Sequence, residues 1–587
     1  MLSLRGLHAR LPIPPPLLVL AVLTHGAGFA TADVLWQAGG IPVCTAASNQ
    51  LTPVGIPDGD GGAIVTWYDY RSRSADIYAQ RVLPSGVVDP AWPAAGRALC
   101  LAPGGQYAPA IAPDGVGGAI VVWYDDRGSS SDIYAQRVLA SGTVAAAWPT
   151  SGRAICAASG DQIYPAVTSD GAGGAIVTWR DDRGGPDTDI YAQRVLASGV
   201  VDPAWPANGL AICTAGGNQS GPAIASDGAG GALVTWSDLR AGTGSDIYVQ
   251  RVLVSGAVDP AWPANGRAVC TAAGNQSGPT IVADGGGGAI VAWFDYRNAL
   301  DADIYAQRVL ASGLLDAGWP AGGRAVCAAP DEQYSPVVVS DGAGGAIVAW
   351  YDYRDGPEPD IYAQHIQSLG LVDPAWPPNG SALCTAGGEQ SSPSITADGQ
   401  GGALVAWFDY RDDPASDIYA QHVMPTGVVD PDWPVNGHAL CVETGSQFSP
   451  MVVPDGAGGV IAAWTDFRGG AYSDVYAQRV GARLGAVDVG PAPPATFRLS
   501  SVRPNPSRTP VTIRMDLAVP QRLTVEVLDA SGRRVRTLVA GGEFAAARHE
   551  FVWTGEDDAG AQRGGGVYWI RARSPAGSSA RAMLILR

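Results

Sequence analysis

The 587-residue chain contains no lysine; all 37 of its basic residues are arginine. With 78 glycines and 45 prolines, a GC-rich coding bias accounts for that absence without a functional reading. Basic charge is scarce in general. Against the arginines stand 55 carboxylates, for a net charge of −18. The deficit is uneven: residues 1–496 carry 23 arginines against 47 acids, whereas residues 497–587 carry 14 against 8. An acidic body repels phosphate and anionic lipid, which excludes nucleic acid as a partner. Helical periodicity is also missing throughout, which leaves a turn-rich all-β chain. The 8 cysteines lack the paired close spacing of a zinc site.

Long apolar runs are confined to the start. Arg5 and Arg10 precede the apolar stretch Leu11 to Leu23, which prolines interrupt and which is too short to span a bilayer. Ala30-Thr31-Ala32 offers a small-residue cleavage pattern before Asp33. Residues 1–32 read as a secretory signal peptide, with a membrane anchor as the alternative. No transmembrane helix is expected in the mature chain.

What the chain has is repetition. The motif Trp-x-Asp-x-Arg begins at Trp67, Trp123, Trp179, Trp236, Trp293, Trp350, Trp407 and Trp464, at spacings of 56, 56 and then 57 residues. A second tryptophan series runs from Trp36 to Trp433, and the cysteines recur from Cys44 to Cys441 with the same period. Each unit offers four short β patterns. In the third they are "YPAVTS", a "DGAGG" turn, "AIVTWRD", "DIYAQRVL", a long connection "ASGVVDPAWPANG" and "LAIC". Four strands per unit, eight times over residues 33–485, predict an eight-bladed β-propeller; a solenoid is the alternative. The first unit opens on an outer-strand segment and the last ends after its third strand. The spacing therefore predicts that residues near Ile41–Thr45 complete the eighth blade.

The blade order resembles the sialidase-type (BNR-repeat) propeller over about three quarters of the chain. That family's inner strand, D-G turn, strand ending in W-x-D and following I-Y strand all have counterparts here. Its Asp box, S-x-D-x-G-x-T-W, does not; "ASGVVDPAW" keeps the Ser and Trp without the Asp-x-Gly core. The resemblance implies an architecture and not the enzyme's active site.

"GPAPPAT", Gly490 to Thr496, lies in a Pro-rich linker placed at 486–496. Beyond it, residues 497–587 show about seven strand patterns with the turn spacing of a β-sandwich. "RPNPS", "LTVEVLDASGRRVRTLV", "HEFVWTGEDDAGAQRGGGVYWIRAR" and "SSARAMLILR" resemble the FlgD-type Ig-like domain and, equally, the C-terminal (type A) sorting domain of type IX secretion cargo. That resemblance implies outer-membrane secretion machinery as a partner. It also implies a Gram-negative envelope, with the protein secreted or held at the cell surface. A plain sandwich with no targeting role is the alternative.

All eight cysteines occupy one position of the repeat. On an outer strand about 20 Å from the ring axis, neighbours would lie roughly 15 Å apart, beyond the ~7 Å Cα separation a disulfide allows. They read as small buried apolar residues. The recurring charges are the candidate ligand contacts, on one face of the ring: Asp69, Arg71, Asp125, Arg127, Asp181, Arg183, Asp238, Arg240, Asp295, Arg297, Asp352, Arg354, Asp409, Arg411, Asp466 and Arg468. Recurring glutamines such as Gln106 and Gln162 join them. Such a ring suits sugar hydroxyls or a protein's charged side chains; the alternative is that each Asp pairs with an Arg and fixes its loop. Calcium has weak support, from "DGDGG" (Asp58 to Gly62) and "DAD" (Asp301 to Asp303), without EF-hand spacing. No other cofactor or metal site is indicated.

Catalysis needs an asymmetric acid and base, and near-identical units supply none. The departures from the repeat are Arg180, His365, His422 and Val249, which form no recognisable constellation in the sequence. No catalytic residue is assigned. The expected function is an exported, non-catalytic propeller binding glycan or a surface protein. A divergent glycoside hydrolase or lyase and a purely structural surface protein are the alternatives.

Overall fold

The computed structural model describes residues 36–298, 301–412, 414–481 and, between 497 and 585, all but 504–506, 508–509, 518–519, 530–532 and 575–576. The expected signal peptide and linker lie outside the described residues. In the third repeat, strands Gln162–Ser169, Ala175–Asp181, Asp189–Val195 and Leu210–Cys213 form one antiparallel sheet in chain order. The pattern recurs to give eight such blades, whose inner strands begin at Gln50, Gln106, Gln162, Gln219, Gln276, Gln333, Gln390 and Gln447. Neighbouring blades stack face to face, so the second strand of each is buried on both sides. That is why "AIVTW" reads as an unbroken apolar run.

Two tryptophans per blade do the packing. Trp179, on the second strand, is fully buried; a Cβ on Gly209 would stand 2.7 Å from its ring. Gly209 has φ +101°, so glycine is required there on both counts. Trp148, in the connection before an outer strand, reaches the next blade instead. It packs on Gly199 and donates Nε1 to the Ala197 carbonyl at 3.3 Å. Equivalent links run from Trp36 to Pro84 and from Trp376 to Pro425. Burial of such a ring contributes about 2–3 kcal/mol, so each link holds one blade to the next.

The ring closes as the spacing predicts. Ile41–Cys44 is the outermost strand of the eighth blade, antiparallel to Asp474–Val480, with Ile41 opposite Ala477 and Pro42 opposite Tyr476. The inner strands of the first and eighth blades, Gln50–Pro57 and Gln447–Pro454, lie side by side. Closure rules out the solenoid.

The C-terminal segment forms the seven expected strands. Phe497–Arg503, Val511–Leu517 and Arg548–Trp553 make one sheet; Arg534–Phe544, Gln521–Asp529, Gly566–Ser574 and Gly577–Ile585 make the other. Ile513, Val525, Trp553 and Ile570 are buried between them. Among the described residues no helix is long and apolar enough to cross a membrane.

Candidate functional site at the mouth of the ring

Register decides what meets at the mouth. In the third blade Gln162 lies opposite Asp181, and Asp181 opposite Asp189. The start of the inner strand, the end of the second and the start of the third thus share one face in every blade, as the sequence implies.

The recurring Asp and Arg residues are joined in pairs within their blades. Asp181 is wholly buried; its Oδ2 accepts from Trp179 Nε1 at 2.7 Å and from Arg183 Nη2 at 2.5 Å. Its Oδ1 accepts from the Arg183 backbone N–H and Nε at 3.0 and 2.8 Å. The Arg183 guanidinium lies 3.9 Å from the Tyr191 ring centre and donates to the Asn208 carbonyl. It also donates to Cys156 Sγ of the preceding blade at 3.0 Å. The same ion pair occurs at Asp69–Arg71, Asp125–Arg127, Asp238–Arg240, Asp295–Arg297, Asp352–Arg354, Asp409–Arg411 and Asp466–Arg468. These carboxylates are fully engaged by the chain itself. The arginines keep an exposed edge, 15–22 % of the side chain.

The cysteines complete this clamp. All eight are free and buried, and each accepts a hydrogen bond from the Arg of the following blade. Burial pushes the thiols up, to about 11 at Cys156 and about 12 at Cys213. They stay protonated and unreactive at neutral pH.

The first residue of each third strand is a second carboxylate beside the clamp. Burial raises Asp189, Asp246, Asp303, Asp417 and Asp474 to about 6, helped by the charge of the clamped Asp opposite and, at Asp417, first by that of Asp412. Asp360 rises to about 7, through burial and then Asp355 and Asp352. On the opposite face, Asp58 accepts from two amides of its own turn and pairs with Arg81. Among the described residues no three of His, Cys, Asp and Glu come together as a metal cluster.

What the sequence reading missed is an aromatic rim. The residue on either side of the clamped Asp is aromatic in five of the eight blades, that after the inner-strand Gln in three, and these rings meet across blade boundaries. Tyr68, Tyr107, Tyr124 and Tyr164 form a continuous arc, with ring centres 6.0, 5.5 and 6.2 Å apart, over the first three blades. Phe294, Tyr334 and Tyr351 form a second arc, and Phe408, Phe448 and Phe467 a third. The fourth blade interrupts the rim with Ser220, Gly221 and Ser237. Inside it the axis holds a cavity of about 490 Å³, lined by Thr52, Thr280, Ser392 and Ser449 together with Val54, Val337, Ile395 and Met451.

Backbone strain accompanies the rim. Two residues after each inner-strand Gln, φ is positive: 52° at Thr52, 54° at Tyr164 and 49° at Ser335. A proline follows every time. A non-glycine residue held in this region costs about 1–3 kcal/mol, and such strain collects at functional sites.

Residues 502–578 match the family of the FlgD Ig-like domain. No curated protein matches the chain in sequence. Solved structures resemble the chain at low identity. A Penicillium chrysogenum alpha-L-arabinanase is 12 % identical, with 58 % of this chain and 100 % of that one covered at a TM-score of 0.32. A Hadza microbial sialidase is 12 % identical, with 62 % and 77 % covered, also at 0.32. The Bacteroides thetaiotaomicron endo-arabinase is 13 % identical, with 45 % and 95 % covered at 0.28. At this identity no residue of those proteins is carried over. By its own sheet topology the chain is an eight-bladed propeller, followed by a domain that matches the FlgD Ig-like family over residues 502–578.

Proposed function

We propose that the chain is an exported, non-catalytic propeller that binds a glycan or a surface protein through its mouth, and that its C-terminal domain sorts it to the outside of a Gram-negative-type cell. The observation that supports binding is the aromatic rim. Its rings stay half-exposed on one face although burial would serve stability better. Tyrosine presents an apolar body and a polar tip, which suits ligands with both kinds of surface. The clamped Asp–Arg pairs hold the rim in place, and the exposed arginine edges are secondary contacts. Sorting rests on the match of residues 502–578 and on the type IX cargo resemblance of the chain's end.

The test is an array of intact glycans exposed to the full chain, with and without calcium, and read for both retention and glycan loss. Selective retention without loss is the expected result. Loss of glycan would overturn the non-catalytic reading in favour of a hydrolase or lyase. The paired carboxylates at Asp352 and Asp360, one ion-paired and the other raised to about 7, are the feature that favours that second reading.

A further inference from the structure

The recurring Asp–Arg pairs at the mouth are consumed by the clamps. Arg180 and Asp182 are not. Arg180 replaces the aromatic, Ser or Thr found at this position in the other blades, and the Ile163↔Arg180 register sets it beside the start of its inner strand. Its guanidinium lies 5.5 Å from the ring centre of Tyr164, the last member of the tyrosine arc and 53 % exposed. Arg180 Nε faces Asp182 Oδ1 at 3.7 Å, beyond hydrogen-bond reach, and neither atom has a hydrogen-bond partner. Leaving buried polar atoms unpaired costs about 1–3 kcal/mol each in general. The two side chains nonetheless keep 26 % and 31 % exposure, so their outer edges face solvent.

We propose that Tyr164, Arg180 and Asp182 form a subsite for one ring of a neutral oligosaccharide, which the tyrosine arc extends towards Tyr124 and Tyr107. This rests on the glycan-binding reading above. A sugar ring offers a C–H face to the Tyr164 phenol. Its adjacent hydroxyls accept from the guanidinium and donate to the carboxylate, a charge-assisted pairing that water alone otherwise satisfies. Charge selects the neutral class. Asp161 stands beside Asp182, whose backbone N–H donates to the Asp161 carbonyl, so two carboxylates crowd the one unclamped guanidinium. An acidic sugar would meet net repulsion there.

The probes are immobilised neutral hexasaccharides (xylo-, cello-, laminari-, manno- and arabino-) and sialyllactose, presented to the full chain. Two substitutions copy residues that other blades already hold at the same positions, so folding is preserved: Arg180→Ser follows Ser237 and Tyr164→Ser follows Ser335. Val116→Ser, on an exposed turn of the opposite face, is the control. The expected result is retention of at least one neutral hexasaccharide, weakened at least tenfold by Arg180→Ser and by Tyr164→Ser and less than twofold by the control. If a neutral sugar is retained equally by all variants, the subsite is wrong and the binding role stands. If sialyllactose alone is retained, the neutral class is wrong. If no probe is retained, the subsite falls and the glycan half of the proposed function falls with it, leaving the protein partner.

Discussion

The Asp–Arg–Cys clamp shows how one residue type can hold several elements at once. Arg183 touches its own second strand, its own outer turn, Tyr191 and the preceding blade. Arg183→Ala leaves Asp181 charged and wholly buried. Removing one partner of such a pair costs about 3–5 kcal/mol; since Arg183 is partly solvated, the lower end is expected, read from the urea midpoint. His422 stands where most blades have an Arg, between Asp398 at 3.1 Å and Asp430 at 2.7 Å. Burial opposes its charge, but the hydrogen bonds to those carboxylates outweigh burial and raise its pKa above the usual histidine value. The folded state therefore holds the proton more tightly than the unfolded state. That stability is fully present below about pH 6.5 and is lost as pH rises through the folded pKa. Replacing His422 by Arg should keep both ion pairs at pH 8.5 and flatten the alkaline limb of the stability profile, which unfolding at pH 6 and 8.5 would measure. The placement of this histidine is legible in the repeat; its coupling to Asp398 and Asp430 is not, because the three sit on different elements.

At the scale of the strand, the chain announces its structure through period and turn. The strands of a blade, the seven of the C-terminal sandwich and the closing strand at Ile41–Cys44 can all be read from residues alone, because β-branched runs alternate with Asp-Gly turns at a fixed spacing. The aromatic rim cannot. Its members are split between the inner and second strands and meet only after the register shift that follows Ile163. The positive φ of Tyr164 is equally hidden, since a residue before proline is expected in extended conformation. The Cys–Arg contact is an inter-blade one at a constant separation of 27 residues, which periodicity shows but pairing rules do not. The closing strand carries a prediction of its own. Val43 is 1 % exposed between the first and eighth blades. Val43→Asp should detach Ile41–Cys44 and bare the edge of Asp474–Val480 to other chains. Oligomers by light scattering and early proteolysis after residue 36 are the expected readouts; an unchanged monomer would show that closure does not depend on this strand's packing.

The whole molecule is a ring in which each blade repeats a buried or half-buried carboxyl whose pKa burial raises. From the ordinary aspartate value near 3.8 up to about 6, and to about 7 at Asp360, the folded state binds more protons than the unfolded state at these positions. Stability must then fall as pH rises through that window. The thermal midpoint should therefore be higher at pH 5 than at pH 8, and Asp360→Asn should raise the midpoint at pH 8 while shrinking the difference. The same ring presents one face with an aromatic rim and one without. The most direct measurement is hydrogen–deuterium exchange of the full chain with and without the oligosaccharide its array selects. Protection confined to strand ends at the mouth, around Tyr107, Tyr164 and Arg180, is the predicted result. Protection on the opposite face or in the C-terminal domain would contradict a binding role for the mouth.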